Sequence, residues 1–277
     1  MLKLAVVGKD VSQSESPNMH TFLLNAMGET CSYERVSIPP ERFLSEAEAL
    51  FRKYDGFNVT IPYKAEIIPF LTSLEGDAKK FGAVNTVCAR ERTGYNTDGF
   101  GFLLMLENAG VPVKGKTALV FGTGGAGRTA IIKLQEAGAT VFAYDCDEER
   151  VTAFHREFPA FTPLKEVPLR PFDLLLNCTG IGMHDTVGQT PSVAWEGGGV
   201  APVGKELISL ADWVIDLIYV PEESEFLRLA RKSKKKARNG LSMLFYQAYF
   251  ADCVYLRRTP NAREASVLYL RYLEEAR

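Results

Sequence analysis

Short apolar runs alternate with amphipathic stretches along most of this 277-residue chain. Leu4-Ala5-Val6-Val7 forms the centre of a strand over Leu2 to Gly8, and Ser32 to Ile38 reads as a second strand. Helical spacing fills the gaps: Pro17 to Met27, begun by Ser16, and Pro40 to Lys53. Gly56-Phe57-Asn58-Val59-Thr60 is apolar and β-branched enough for a core strand. It stops at Pro62, which cannot extend a central strand and suits the first turn of a helix, expected from Lys64 to Phe70. Paired strands follow between Thr86 and Tyr95, then a helix through Leu106 that Asp98 stands ready to N-cap.

After a linker at Val111 to Lys116, a βαβ unit begins. Thr117 to Phe121 is a strand, Gly122-Thr123-Gly124-Gly125-Ala126-Gly127-Arg128 a glycine-rich turn, Thr129 to Ala137 a helix, and Thr140 to Tyr144 the next strand. Later strands are expected at Asp173 to Asn177 and Trp213 to Asp216, with a glycine-rich loop around Gly197-Gly198-Gly199 between them. Helices over Leu241 to Arg257 and Arg263 to Ala276 close the chain. Such alternation predicts an α/β protein.

Composition narrows the functions. A hydrophobic content of 46% and a charged content of 24% fit an ordinary globular protein. A net charge of -2 provides no field for nucleic acid or an anionic membrane, and neither is expected as a partner. Met1-Leu2-Lys3 runs straight into the first strand without a signal peptide, and no apolar run is long enough to span a bilayer. Cys31, Cys88, Cys146, Cys178 and Cys253 are scattered without metal spacing, so a cytoplasmic setting with packed thiols is the simplest expectation, and no metal. His20, His155 and His184 share no motif and read as core or surface residues. The basic run Arg231 to Arg238 reads as a solvated helix end. Phe245, Tyr246, Tyr249 and Phe250 read as packing.

Two features carry chemistry. Lys64 should stand beyond the carboxyl end of a strand, where open α/β sheets place ligands, and Asp98 lies in a second strand-to-helix turn. Together they make a candidate proton-transfer pair; singly, each reads more readily as a solvated surface charge. Gly122, Gly124 and Gly127 match the dinucleotide fingerprint in its proper strand-to-helix context, where backbone amides and the helix N-terminus receive a pyrophosphate. Asp145 follows at the distance expected for an acid that binds the ribose 2′-hydroxyl of NAD.

With these pieces placed, the chain resembles the shikimate dehydrogenases over nearly its whole length. Ser14-Glu15-Ser16-Pro17 is similar to the family's Ser-x-Ser-Pro, and Asn58 to Lys64 to its Asn-Val-Thr-x-Pro-(Phe/Tyr)-Lys. Gly82 to Thr86, Asn96 to Gly99, Gly122 to Arg128, Asn177-Cys178-Thr179 with Gly182-Met183, Asp216 with Tyr219, and Gly240 to Gln247 resemble further blocks in the same order. The resemblance implies interconversion of 3-dehydroshikimate and shikimate with a nicotinamide cofactor. It implies a Lys64–Asp98 dyad, and Ser14, Ser16, Asn58, Thr60, Asn85, Tyr219 and Gln247 around the substrate. It places the cofactor at Gly122, Gly124, Gly125, Ala126, Gly127, Asp145, Thr179 and Gly240. It implies an N-terminal α/β substrate domain (1–100 and 239–277) and a Rossmann-type domain (101–238), with the site in the cleft between them, in a monomer or homodimer.

One departure bears on the cofactor. NADP-using members commonly carry Asn-Arg-Thr after the second strand of the cofactor domain. Here Tyr144-Asp145-Cys146 is followed by Asp147, Glu148 and Glu149, which removes the arginine and adds negative charge. NAD is therefore expected ahead of NADP. NAD use in quinate/shikimate branches of the family makes quinate the alternative substrate. A rival of another class is a non-catalytic sensor of shikimate-like ligands or dinucleotide.

Overall fold

The computed structural model describes residues 1–183, 193–194 and 200–275. His184, the Gly197-Gly198-Gly199 loop and Ala276 lie outside the described residues. The chain divides into two compact units, Met1–Leu104 with Leu244–Arg277, and Met105–Met243.

The first unit holds strands β1 (Leu2–Gly8), β2 (Cys31–Ser37), β3 (Gly56–Val59), β4 (Ser73–Leu74), β5 (Thr86–Cys88) and β6 (Thr93–Tyr95) in the order β2-β1-β3-β5-β6-β4. β1 runs parallel to β2 and β3, whereas β5 is antiparallel to both β3 and β6. The carboxyl ends of β1, β3 and β6 and the start of β5 therefore meet at one end of the sheet. Helices α1 (Ser16–Ala26), α2 (Pro40–Lys53), α3 (Asp77–Phe81) and α4 (Asp98–Asn108) follow these strands. One core packs Phe43, Leu50, Phe57, Tyr63, Ile67 and Val87. The face of Tyr63 lies on Phe43, with ring centroids 3.9 Å apart.

The helix expected from Lys64 to Phe70 is instead a series of turns ending in a short 3-10 segment, Ile68–Phe70. Pro69 explains this, because it lacks the amide an α-helix would need there. Asp98 does not cap α4; it is the first helical residue, and Asn96 Oδ1 accepts its amide at 3.0 Å. The Asp98 carboxylate is thereby left for other partners.

The second unit is a parallel sheet of β7 (Thr117–Phe121), β8 (Thr140–Tyr144), β9 (Thr162–Pro163), β10 (Phe172–Asn177), β13 (Ala211–Asp216) and β14 (Lys236–Asn239), ordered β14-β13-β10-β7-β8-β9. A separate ribbon pairs β11 (Val193–Ala194) with β12 (Val200–Ala201). Helices α5 (Gly125–Glu136), α6 (Glu148–Glu157), α7 (Lys205–Ser209) and α8 (Glu225–Lys232) connect the strands. The basic run is only partly a helix end: α8 stops at Lys232, and Lys236 opens the edge strand β14. α9 (Leu241–Tyr255) and α10 (Ala262–Glu275) complete the chain. Phe245, Tyr246, Tyr249 and Phe250 of α9 are all buried, as the packing reading expected. Among the described residues no helix is long and apolar enough to cross a membrane.

Candidate active site

In the first unit the chain ends at the sheet's ligand-side end converge on one polar group. Tyr63 is fully buried and donates to the Ile38 carbonyl, and the Val84 amide donates to the Lys64 carbonyl at 2.7 Å. These ties fix the backbone on both sides of Lys64. Its ammonium Nζ donates to Asp98 Oδ2 at 2.5 Å, with the two side chains 24% and 13% exposed. The pair is sheltered yet open to a ligand. An ammonium carries three protons and Asp98 takes one, which leaves donors for an incoming oxygen.

Asn85 and Gln247 adjoin the pair. Asn85 Nδ2 donates to Asp98 Oδ1 at 2.8 Å and reaches Thr97 Oγ1 at 3.0 Å and Gln247 Oε1 at 3.3 Å. Two protons face three acceptors, so the 3.3 Å contact to Gln247 is the weakest of the three. Ser14 Oγ donates to Ser16 Oγ at 3.1 Å, and Arg35 holds the Ser14 carbonyl through two donors at 2.9 and 2.7 Å. Thr60 follows β3, its amide bonded to the Val7 carbonyl at 2.9 Å. Asn58, also expected around the substrate, is already fully engaged. It is 7% exposed, and both its amide protons and both its lone pairs already face Asn85, Thr86, Tyr33 and Tyr255. Arg35, Thr86, Thr97, Tyr33 and Tyr255 were not singled out by sequence. Thr86 and Thr97 lie within quoted blocks, whereas nothing in the local pattern marks Tyr255.

In the second unit the glycine-rich turn has the shape of a phosphate cradle. A Cβ at Gly127 would lie 2.0 Å from the Gly122 carbonyl oxygen, so helix and strand meet too closely for any side chain. Gly122 has φ +90, and a Cβ there would meet Thr179 at 2.8 Å. At Gly124 and Gly125 nothing lies within 4 Å of an added Cβ, so space remains in front of the amides that open α5. Gly122, Gly124, Gly125, Ala126 and Gly127 thus fit a dinucleotide pyrophosphate. Thr179 braces the turn, its Oγ1 donating to Asn177 Oδ1 at 2.7 Å. Gly240 is buried, with room for no side chain against the Leu217 carbonyl, 2.1 Å from an added Cβ. Tyr219 follows β13, three residues beyond Asp216.

Asp145 directly follows β8 in a setting the sequence did not reveal. Its Oδ2 accepts the Thr123 amide and hydroxyl at 2.7 and 2.8 Å, and its Oδ1 accepts the Asp147 amide at 3.0 Å. Burial pushes its carboxyl up, but these donors together with Arg150 outweigh burial and hold it below the usual range. Asp145 is thus an ionised clamp on the glycine-rich turn. Arg150 lies 3.5 Å from it and 3.0 Å from Asp147, which N-caps α6. Arg128 is engaged elsewhere, packed over Phe154 and paired with Glu157.

Residues 6–87 match the model of the shikimate dehydrogenase substrate binding domain. The chain is 38% identical over 256 residues to the shikimate dehydrogenase (NADP(+)) of Thermus thermophilus, covering 91% of each chain. Solved structures agree. A Thermus thermophilus shikimate 5-dehydrogenase in complex with NADP(H) and shikimate matches with a TM-score of 0.82 at 34% identity, over 98% of this chain and 99% of that one. Shikimate dehydrogenase 1 of Peptoclostridium difficile matches with a TM-score of 0.83 at 31% identity, over 98% of each. The NADP in the names of the Thermus proteins does not support the expected preference for NAD. From its fold, its ordered motifs and these relatives, the chain belongs to the shikimate dehydrogenase family of nicotinamide-dependent oxidoreductases.

Proposed function

We propose that the first unit binds shikimate or 3-dehydroshikimate with Lys64 and Asp98 as its dyad. The Lys64–Asp98 pair at the end of β3 and the start of α4 carries this reading. Ser14, Ser16, Thr60, Asn85 and Gln247 supply hydroxyl and amide partners for a polyhydroxylated acid, which needs them because each buried polar group left unpaired is costly. When bound in the cradle of Gly122 to Gly127, the nicotinamide cofactor supplies or accepts the hydride. Lys64 Nζ donates to the substrate's carbonyl oxygen and stabilises the alkoxide charge that develops there. Asp98 keeps the ammonium aimed and holds a neighbouring hydroxyl. Family membership favours shikimate over quinate, and turnover of shikimate in an assay would exclude the sensor reading.

The cofactor preference follows from Asp145 and its neighbours. Tyr144-Asp145-Cys146 carries no arginine, and the Asp145 carboxylate, held below its usual range, would oppose a 2′-phosphate placed beside it. Arg150 and the Thr123 donors offset part of that charge, so NAD is favoured over NADP by about tenfold in kcat/KM. The test is a steady-state comparison of shikimate and quinate, each with NAD and NADP, in wild type and Asp145→Asn. Shikimate turnover with an NAD preference that shrinks in the variant supports the proposal. Wild-type preference for NADP overturns the cofactor assignment, and reduction of neither cofactor overturns the activity.

A further inference from the structure

We propose that Tyr33 and Tyr255 are positioning residues that orient the Lys64–Asp98 pair through a one-way chain of hydrogen-bond donors, with Asn58 as its keystone rather than a substrate ligand. The chain begins at two phenols. Tyr33 Oη donates to Asn58 Oδ1 at 2.7 Å, and Tyr255 Oη donates to the same oxygen at 3.0 Å. Asn58 Nδ2 donates to Thr86 Oγ1 and to the Asn85 carbonyl, both at 3.1 Å. The Thr86 hydroxyl donates to Asn85 Oδ1 at 2.9 Å. Asn85 Nδ2 donates to Asp98 Oδ1 at 2.8 Å, and Lys64 approaches the other carboxylate oxygen. Along this path the donors run one way, from the phenols to Asp98.

Backbone groups force this direction. The Asn85 carbonyl can only accept, so the Asn58 amide nitrogen must face it. The Thr97 amide can only donate, at 2.9 Å, so Asn85 must turn its oxygen that way and its nitrogen toward Asp98. Aligned donors in a low-dielectric interior polarise one another, which makes such a chain stiffer than its separate bonds.

Both phenol rings are locked. Tyr33 stacks on His20 with centroids 4.7 Å apart, and His20 is held by Asp252 at 2.6 Å. The Tyr255 ring lies against bare backbone: a Cβ at Gly56 would come within 2.5 Å of its Cε1. Desolvation pushes both phenols well above their usual range, so they remain donors wherever the enzyme works. Tyr33 of β2 and Tyr255 of α9 thus reach the dyad without touching it.

The inference rests on the Lys64–Asp98 reading above. Its test measures Tyr33→Phe, Tyr255→Phe, the double variant and Thr86→Val, each in wild type and in Asp98→Asn. Loosening a reacting group lowers turnover more than binding, so kcat should fall about tenfold in the double variant and in Thr86→Val. KM for shikimate should stay within about twofold, since no substrate contact is removed. In the slower Asp98→Asn background the same changes should cost less than about twofold, because groups acting through one partner are not additive. A merely structural role would give the same factor in both backgrounds, and that result overturns the proposal. A rise in KM at constant kcat overturns it as well, by returning Asn58 and its partners to substrate binding. If Lys64→Ala retains turnover, the dyad and this inference fall together; if Lys64→Ala is inactive and the double variant keeps wild-type kcat, only this inference falls. Should the double variant not fold, the single variants and Thr86→Val decide in its place.

Discussion

Lys64 and Asp98 illustrate how little separates a surface ion pair from a reacting one. Many Lys–Asp pairs sit in solvent and contribute almost nothing. Here the lysine backbone is pinned by Tyr63 and Val84, and Asn85 takes the second carboxylate oxygen. Lys64→Ala should lower kcat for shikimate by about a hundred- to ten-thousand-fold, the range for losing one general acid. Cofactor affinity, measured by fluorescence titration, should remain, because Lys64 lies outside the glycine-rich turn. Near-normal kcat in this variant would remove the dyad. The residues of this site were legible because Lys64 and Asp98 each follow a strand within a recognisable block. Their supports were not. Tyr255 lies 197 positions from its partner Asn58, and no local pattern encodes such a distance.

At the scale of elements, periodicity located the long strands and helices and failed where local chemistry decides. Pro69 broke the helix expected after Lys64, and strands of two residues such as β4 and β9 are too short to show alternation. The tie between β7 and β10 escaped for the same reason as Tyr255. Asp173 accepts from Lys116 Nζ at 2.7 Å and from the Thr117 amide and hydroxyl at 2.8 Å. These donors, led by Lys116, lower its carboxyl to about 2. A depressed carboxyl contributes stability above its unfolded value, near 4, and that contribution disappears as pH falls toward 2. With partial exposure discounted, Asp173→Asn should cost about 1 to 2 kcal/mol at pH 7. Urea midpoints of variant and wild type should converge as the pH is lowered from about 4 to about 2. A gap that stays constant across that range would show that the tie is not electrostatic.

For the whole molecule, each unit carries its own sheet and its own core. Protein of this kind needs its sheets to end somewhere. β14 ends the second sheet, and its exposed positions are Lys236 and Arg238, with Lys236 lying over the Trp213 ring. At the other margin β9 is two residues long and contains Pro163, which has no amide to offer. A second copy approaching the β14 edge would set cation against cation before any backbone bond could form. The basic run that reads in sequence as a solvated helix end thus places two like charges on a sheet edge, where they would oppose pairing with another copy. Replacing Lys236 and Arg238 with valine should leave shikimate turnover near wild type at low concentration and raise light scattering on mild heating or concentration. Crowding and heat, rather than catalysis, are the conditions under which those two cations matter most.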